Sequence, residues 1–74
     1  MKNSLDEYRS DFDISQQELA NYVEVTRQTI NAIERDRYDP SVELVFKLAA
    51  FFECSVGDLF HPDVGLKKTI SEVE

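Results

Sequence analysis

The tightest constraint on this chain is how closely its helix-start signals follow one another. Ser15 followed by Glu18 is a capping box: the hydroxyl accepts from the third helical amide, and the carboxylate reaches back to the amide of the cap. Thr26 is a second N-cap only eleven residues further on. Between the two fits one short helix, Gln16 to Tyr22, with Leu19, Ala20 and Val23 inward, followed by a link of about three residues, Val23-Glu24-Val25. Thr26 then opens another helix, Arg27 to about Arg35, whose apolar positions are Ile30 and Ile33. A link that short sets two helices at a steep angle and makes the second project from the body.

The flanking segments follow the same period. Leu5, Tyr8 and Phe12 recur at three- and four-residue intervals and predict a first helix from about Lys2 to Asp11. Asp39-Pro40-Ser41 stops the third helix, because the residue before proline is steered out of the helical region, and launches a fourth through Phe52. Ser55 and Asp58 repeat the capping box and open a fifth helix ending near Phe60. His61-Pro62-Asp63 closes the unit, which predicts a domain over 1–62 and a short tail over 63–74. No segment alternates as a strand does, so the expected class is all-α. Seventy-four residues allow one small domain, and such a chain buries only about 60% of the surface its unfolded form exposes. The longest apolar run, Leu48 to Phe52, is far shorter than the roughly 20 residues that cross a bilayer. The lone Cys54 can form no internal disulfide, which fits a cytoplasmic protein.

The net charge of −7, from 8 basic and 15 acidic residues, argues by itself against nucleic acid. Its distribution argues the other way. Thr26 to Tyr38 holds Arg27, Arg35 and Arg37 against Glu34 and Asp36, leaving five basic and thirteen acidic groups elsewhere. The third helix is polar in an unusual way, with Arg27, Gln28, Thr29, Asn31 and Arg35 around its two isoleucines. Guanidinium and amide groups are those that pair with base edges, arginine with guanine and glutamine or asparagine with adenine. The plain alternative is a solvated helix face.

Three stretches then resemble one family: Ser15-Gln16-Gln17-Glu18-Leu19-Ala20; Val25-Thr26-Arg27-Gln28-Thr29-Ile30-Asn31-Ala32-Ile33-Glu34-Arg35; and Tyr38-Asp39-Pro40-Ser41. Together with Val42-Glu43-Leu44, Lys47-Leu48-Ala49, Ser55-Val56 and Asp58-Leu59-Phe60, they are similar to the Cro and phage-repressor class of helix-turn-helix proteins over about residues 2 to 60. The resemblance implies a compact, five-helix, lambda-repressor-like DNA-binding domain with its helix-turn-helix at helices two and three. It implies base contacts from Arg27, Gln28, Thr29, Asn31 and Ala32. It implies phosphate contacts from Gln16, Gln17, Arg35, Arg37, Tyr38 and Ser41. It also implies a structural ion pair between Arg9 and Glu34, and it departs from the family in having Glu24 where the turn usually has glycine.

The expected function is therefore a sequence-specific regulator of transcription, a repressor, acting on a palindromic operator in double-stranded DNA. The rival is an acidic protein-interaction module of the same fold, antitoxin-like or an adaptor. No catalytic residue, metal or cofactor is expected: Cys54, His61 and Asp63 lack ligand spacing, and Cys54 with His61 lacks an orienting third group. A homodimer is expected, because one reading helix touches too few base pairs for a genome. Phe46, Val56, Phe60, Val64, Leu66 and Ile70 offer more apolar surface than one small core needs. The alternative cover for Phe46 is the chain's own tail.

Overall fold

A computed structural model describes residues 1–61. Five helices follow in the expected order: α1 (Leu5–Asp11), α2 (Gln16–Val23), α3 (Arg27–Glu34), α4 (Val42–Phe52) and α5 (Val56–Leu59). The tail 63–74, with Val64, Leu66 and Ile70, lies outside the described residues.

The two ends of the domain differ from the sequence expectation. Residues 2–3 are not helical; Lys2–Asn3 (β1) pairs antiparallel with Phe60–His61 (β2), with Lys2 opposite His61 and Asn3 opposite Phe60. The helix starts at Leu5 with Ser4 as its N-cap residue, and the Leu5 amide donates to Asn3 Oδ1 at 3.1 Å. The Ser4 amide donates to the Leu59 carbonyl at 2.9 Å, which ends α5 and continues the pairing. Phe60 is drawn extended across the core, where it is 3% exposed.

All three capped starts read from the sequence around the turn and α5 are present. Ser15 Oγ accepts from the Glu18 amide at 3.0 Å while the Ser15 amide donates to Glu18 Oε1 at 2.8 Å. Ser55 and Asp58 repeat the box, and Thr26 Oγ1 accepts from the Thr29 amide at 3.2 Å. Each such cap is worth about 1 kcal/mol.

The helix ends share a device that the sequence hardly announces. Asp13, Glu24, Asp36 and Glu53 all have positive φ, between 55° and 64°. In each case the next amide reaches back five residues: Ile14 to Arg9, Val25 to Ala20, Arg37 to Ala32 and Cys54 to Ala49, at 2.9–3.1 Å. This is the Schellman termination of α1 to α4, which satisfies carbonyls that a helix end leaves unpaired. Glycine is the usual occupant of that left-handed position, and here four acidic residues fill it. Ile14, Val25 and Cys54, which follow three of them, pack against the core.

Leu5, Leu19, Ala20, Val23, Ile30, Ile33, Leu44, Leu48, Phe52, Leu59 and Phe60 form one cluster. Each fully buried leucine or isoleucine in it contributes about 1.5–3 kcal/mol relative to exposure. At the α1–α2–α4 edge Phe51 sits between Tyr22 and Phe52, with ring centroids 4.9 Å away in each case, and Phe12 meets Phe52 edge-on at 5.0 Å. Phe46 faces solvent, 62% exposed.

Candidate nucleic-acid interface

Helices α2 and α3 form the unit on which the site is built. Glu24, with φ 64°, reverses the chain after Val23, and the Val25 side chain closes the turn over the core. Ile30 and Ile33, both essentially unexposed, tie α3 down along one line. Everything else on α3 is left on the outside of that line or at its margin.

Of the predicted base-contact residues, Arg27 and Gln28 are exposed, whereas Thr29, Asn31 and Ala32 are half-buried. Thr29 Oγ1 lies 3.0 Å from Thr26 Oγ1, so its hydroxyl is engaged within the helix start. Arg27 Nη1 donates to Gln16 Oε1 at 3.4 Å. The acid-free character of the outer face depends on where Glu34 points. Its side chain is only 9% exposed and turns toward α1, accepting from Arg9 Nε at 2.8 Å and from Arg9 Nη2 at 3.3 Å. Arg9 also donates to the Ile14 carbonyl at 3.1 Å. The Glu34 carboxylate raises the pKa of the Arg9 guanidinium above its ordinary value, with burial opposing. The ion pair thus locks α3 to α1 and removes the helix's single carboxylate from its outer face.

Gln16 differs from the remaining phosphate candidates. Its Nε2 donates to Glu34 Oε1 at 2.9 Å and to Asn31 Oδ1 at 3.2 Å, so its amide is engaged with α3. Gln17 is exposed, one position along, and donates to Asn21 Oδ1 at 2.9 Å. Ser41 caps α4, its Oγ accepting from the Leu44 amide at 3.2 Å, and stands beside the exposed Arg37 and Tyr38 in the α3–α4 connection. Arg35 is exposed at the end of α3, with its Nε 3.4 Å from Asn31 Oδ1. These candidates therefore fall at three places: the start of α2, the outer face of α3, and the connection to α4.

Sequence reasoning missed two features of this region. One is the Gln16–Asn31–Glu34 network, which depends on α2 packing against α3 and has no local signal. The other is the Met1 terminal amine, which donates to Asp36 Oδ1 and, at 2.8 Å, to Asp39 Oδ1. Two carboxylates flanking Arg37 are thereby partnered by a cation. Asn3 binds the same region from the other side, its Nδ2 donating to the Ile33 carbonyl at 2.8 Å. Among the described residues no helix is long and apolar enough to cross a membrane.

Comparison with known proteins bears on this geometry directly. A family model described as helix-turn-helix matches residues 5–59. A protein of Methanocaldococcus jannaschii named as an uncharacterised HTH-type transcriptional regulator is 48% identical over 60 residues, covering 81% of this chain and 91% of the relative. A Bacillus subtilis protein of the same description is 43% identical over 60 residues, with 81% and 91% covered. Among solved structures, the clp gene regulator ClgR of Corynebacterium glutamicum is similar with a TM-score of 0.68 and 30% identity. That match covers 73% of this chain and 57% of ClgR, so the chain spans little more than half of that regulator's length. The matched span takes in all five helices, and the chain belongs to the Cro/C1-type helix-turn-helix family of DNA-binding transcriptional regulators, which are not enzymes.

Proposed function

We propose that the chain is a sequence-specific repressor that reads the major groove of double-stranded DNA with α3. The observation that carries this reading is the composition of α3's outer surface. On a chain of net charge −7, that surface exposes Arg27, Gln28 and Arg35, while its one carboxylate is turned inward to Arg9. Arg27 and Gln28 are the base-reading residues, with Asn31 at the margin and Thr29 and Ala32 supporting the approach. Gln17, Arg37, Tyr38 and Ser41 hold the flanking phosphates, where contacts set register and carry no sequence information. Repression needs nothing beyond occupancy, since a bound protein blocks access to the duplex.

The working unit of this reading is a homodimer on a palindromic operator in the cytoplasm. One helix reads about four base pairs, and two copies related by a two-fold axis read half-sites about 34 Å apart. The surface that supports it is an open apolar groove of about 390 Å³ lined by Met1, Pro40, Val42, Val45, Phe46, Val56 and Phe60. Val42 and Phe46 are 73% and 62% exposed there, a costly arrangement for a monomer. The tail, which begins directly after Phe60 and β2, is the competing cover.

Selection of bound sequences from a random duplex pool tests the function: enrichment of an inverted repeat is expected, and recovery of no motif overturns it. Sedimentation equilibrium tests the assembly. Twice the 8.6 kDa chain mass is expected for the wild type and a single chain mass for Phe46→Glu. A wild-type monomer that binds its operator at full affinity rules the dimer out.

A further inference from the structure

We propose that Gln16 is a positioning residue that turns Asn31 into a donor-only reader, so that α3 takes guanine and not adenine at the step Asn31 faces. The inference rests on the major-groove reading above and specifies its base preference.

The hydrogen bonds fix the polarity of each amide in turn. The Glu34 carboxylate, already taking two hydrogen bonds from Arg9, is an acceptor. The Gln16 group 2.9 Å from it must therefore be the NH2 end, Nε2. That places Gln16 Oε1 toward Arg27 Nη1, a donor, at 3.4 Å, which agrees. Gln16 Nε2 also approaches the Asn31 amide at 3.2 Å, so the Asn31 atom facing it must be the acceptor, Oδ1. Arg35 Nε, which can only donate, lies 3.4 Å from the same atom and requires the same assignment. Two donors thus converge on Asn31 Oδ1, leaving Nδ2 as the outward-facing end of the side chain.

The consequence for base choice is chemical. An asparagine that reads adenine does so with both ends, Nδ2 to N7 and Oδ1 to the N6 amino group. With Oδ1 held inside the protein, the second bond is lost, and adenine's N6 hydrogens face a donor. Guanine presents N7 and O6, two acceptors side by side, which suit an NH2 group. Cytosine offers only its N4 donor in the groove and is rejected. Arg27, also donor-only, has the same preference, so the two residues favour guanines at their respective steps.

The test compares motifs selected from a random duplex pool by the wild type, Asn31→Ala and Gln16→Met. The base step belonging to Asn31 is the one whose preference disappears in Asn31→Ala. At that step the wild type is expected to favour guanine over adenine roughly threefold to tenfold, the worth of one hydrogen bond. Gln16→Met keeps the side chain's length and removes the shorter of the two contacts to Asn31 Oδ1, and the guanine-to-adenine ratio at that step is expected to fall toward one. Adenine at that step in the wild-type motif overturns the proposal, as does a ratio that Gln16→Met leaves unaltered or an Asn31→Ala variant that loses affinity for all sequences alike. Failure to enrich any motif removes the DNA reading itself, and with it this one. Side-chain amide exchange by NMR in the free protein gives a second reading that needs no variant. The Gln16 amide hydrogens are expected to exchange slowly and those of Asn31 fast, and the reverse order overturns the assignment.

Discussion

The left-handed residues at the helix ends store strain that a single substitution should release. Glu53 is the cleanest site. It closes α4 with φ 55° and ψ 46°, is exposed, and makes no ion pair among the described residues. An L residue in this conformation costs about 1–2 kcal/mol relative to the right-handed region, a cost glycine does not bear. Against it stands glycine's extra freedom in the unfolded chain, about 0.5–1 kcal/mol. A second contribution is electrostatic: a carboxylate at a helix C-terminus opposes the macrodipole by a few tenths of a kcal/mol at an exposed site. Glu53→Gly is therefore expected to stabilise by about 1 kcal/mol, which for a domain of this size raises Tm by about 4–8 °C. Glu53→Gln separates the contributions, since it removes the charge and keeps the Cβ. It should recover only the electrostatic part, a degree or two at low salt and nothing at high salt. Thermal melts of the three proteins at low and high salt make the comparison. If Gln matches Gly, charge and not backbone conformation is the cause, and the reasoning from φ fails.

Three further outcomes are expected. Gln28→Ala should cost about 1–3 kcal/mol at the operator and relax one base position, whereas Arg37→Ala should weaken all duplexes alike and flatten the dependence of log K on log salt by about 0.9; equal losses for both variants on operator and random DNA would refute the division into base and phosphate contacts. Arg9→Met should destabilise the domain by about 3 kcal/mol in denaturant titration, because it leaves the largely buried Glu34 carboxylate with Gln16 alone, and a loss under 1 kcal/mol would show that the pair does not hold α3 to α1. The Met1 amine is held above its ordinary pKa of 8.0 by hydrogen bonds from it to Asp36 and Asp39, so its contribution is complete below about pH 8 and is lost as pH rises through the raised value; an N-acetylated chain should melt lower at pH 7 and converge on the unmodified chain at high pH, and a gap that stays constant would refute the pairing.

What the sequence made legible was local. The capping boxes at Ser15–Glu18 and Ser55–Asp58 and the Thr26 cap lie within three or four residues, so their chemistry can be read along the chain. The inward set Leu19, Ala20, Val23, Ile30 and Ile33 follows helical period and is buried as expected. The Arg9–Glu34 pair, 25 residues apart, came from resemblance and not from spacing. Features that join distant segments had no such signal. A two-residue strand leaves no alternation to detect, so the pairing of Lys2–Asn3 with Phe60–His61 was read as helix at one end. Glu24 was suspect because a glycine was expected there, but Asp13, Asp36 and Glu53 adopt the same conformation with no glycine or asparagine to mark them. Gln16 had a helix-start position that suits an anion, and only the packing of α2 against α3 reveals that its amide is engaged.

That engagement bears on how so acidic a chain can recognise a polyanion. Affinity for DNA in general comes from cations that displace counterions, and this chain has few: Arg27, Arg35 and Arg37 are the cations of the α3 region. The remaining carboxylates repel a duplex at long range, and at physiological salt that repulsion is screened beyond about 8 Å. Close to the surface, only the groups actually facing the groove count. There, Glu34 is turned to Arg9, and Asp36 and Asp39 are paired with the Met1 amine. Net charge therefore lowers attraction to arbitrary duplexes without spoiling the contact surface. A transcriptional regulator benefits from that division, because its useful occupancy depends on the ratio of specific to non-specific affinity weighed against the number of competing sites. Weak general attraction leaves discrimination to short-range groups of fixed polarity. On the proposed reading those groups are oriented by the Arg9–Glu34 pair and by Gln16, so the scaffold contact that holds α3 in place would also determine which hydrogen-bonding ends it offers.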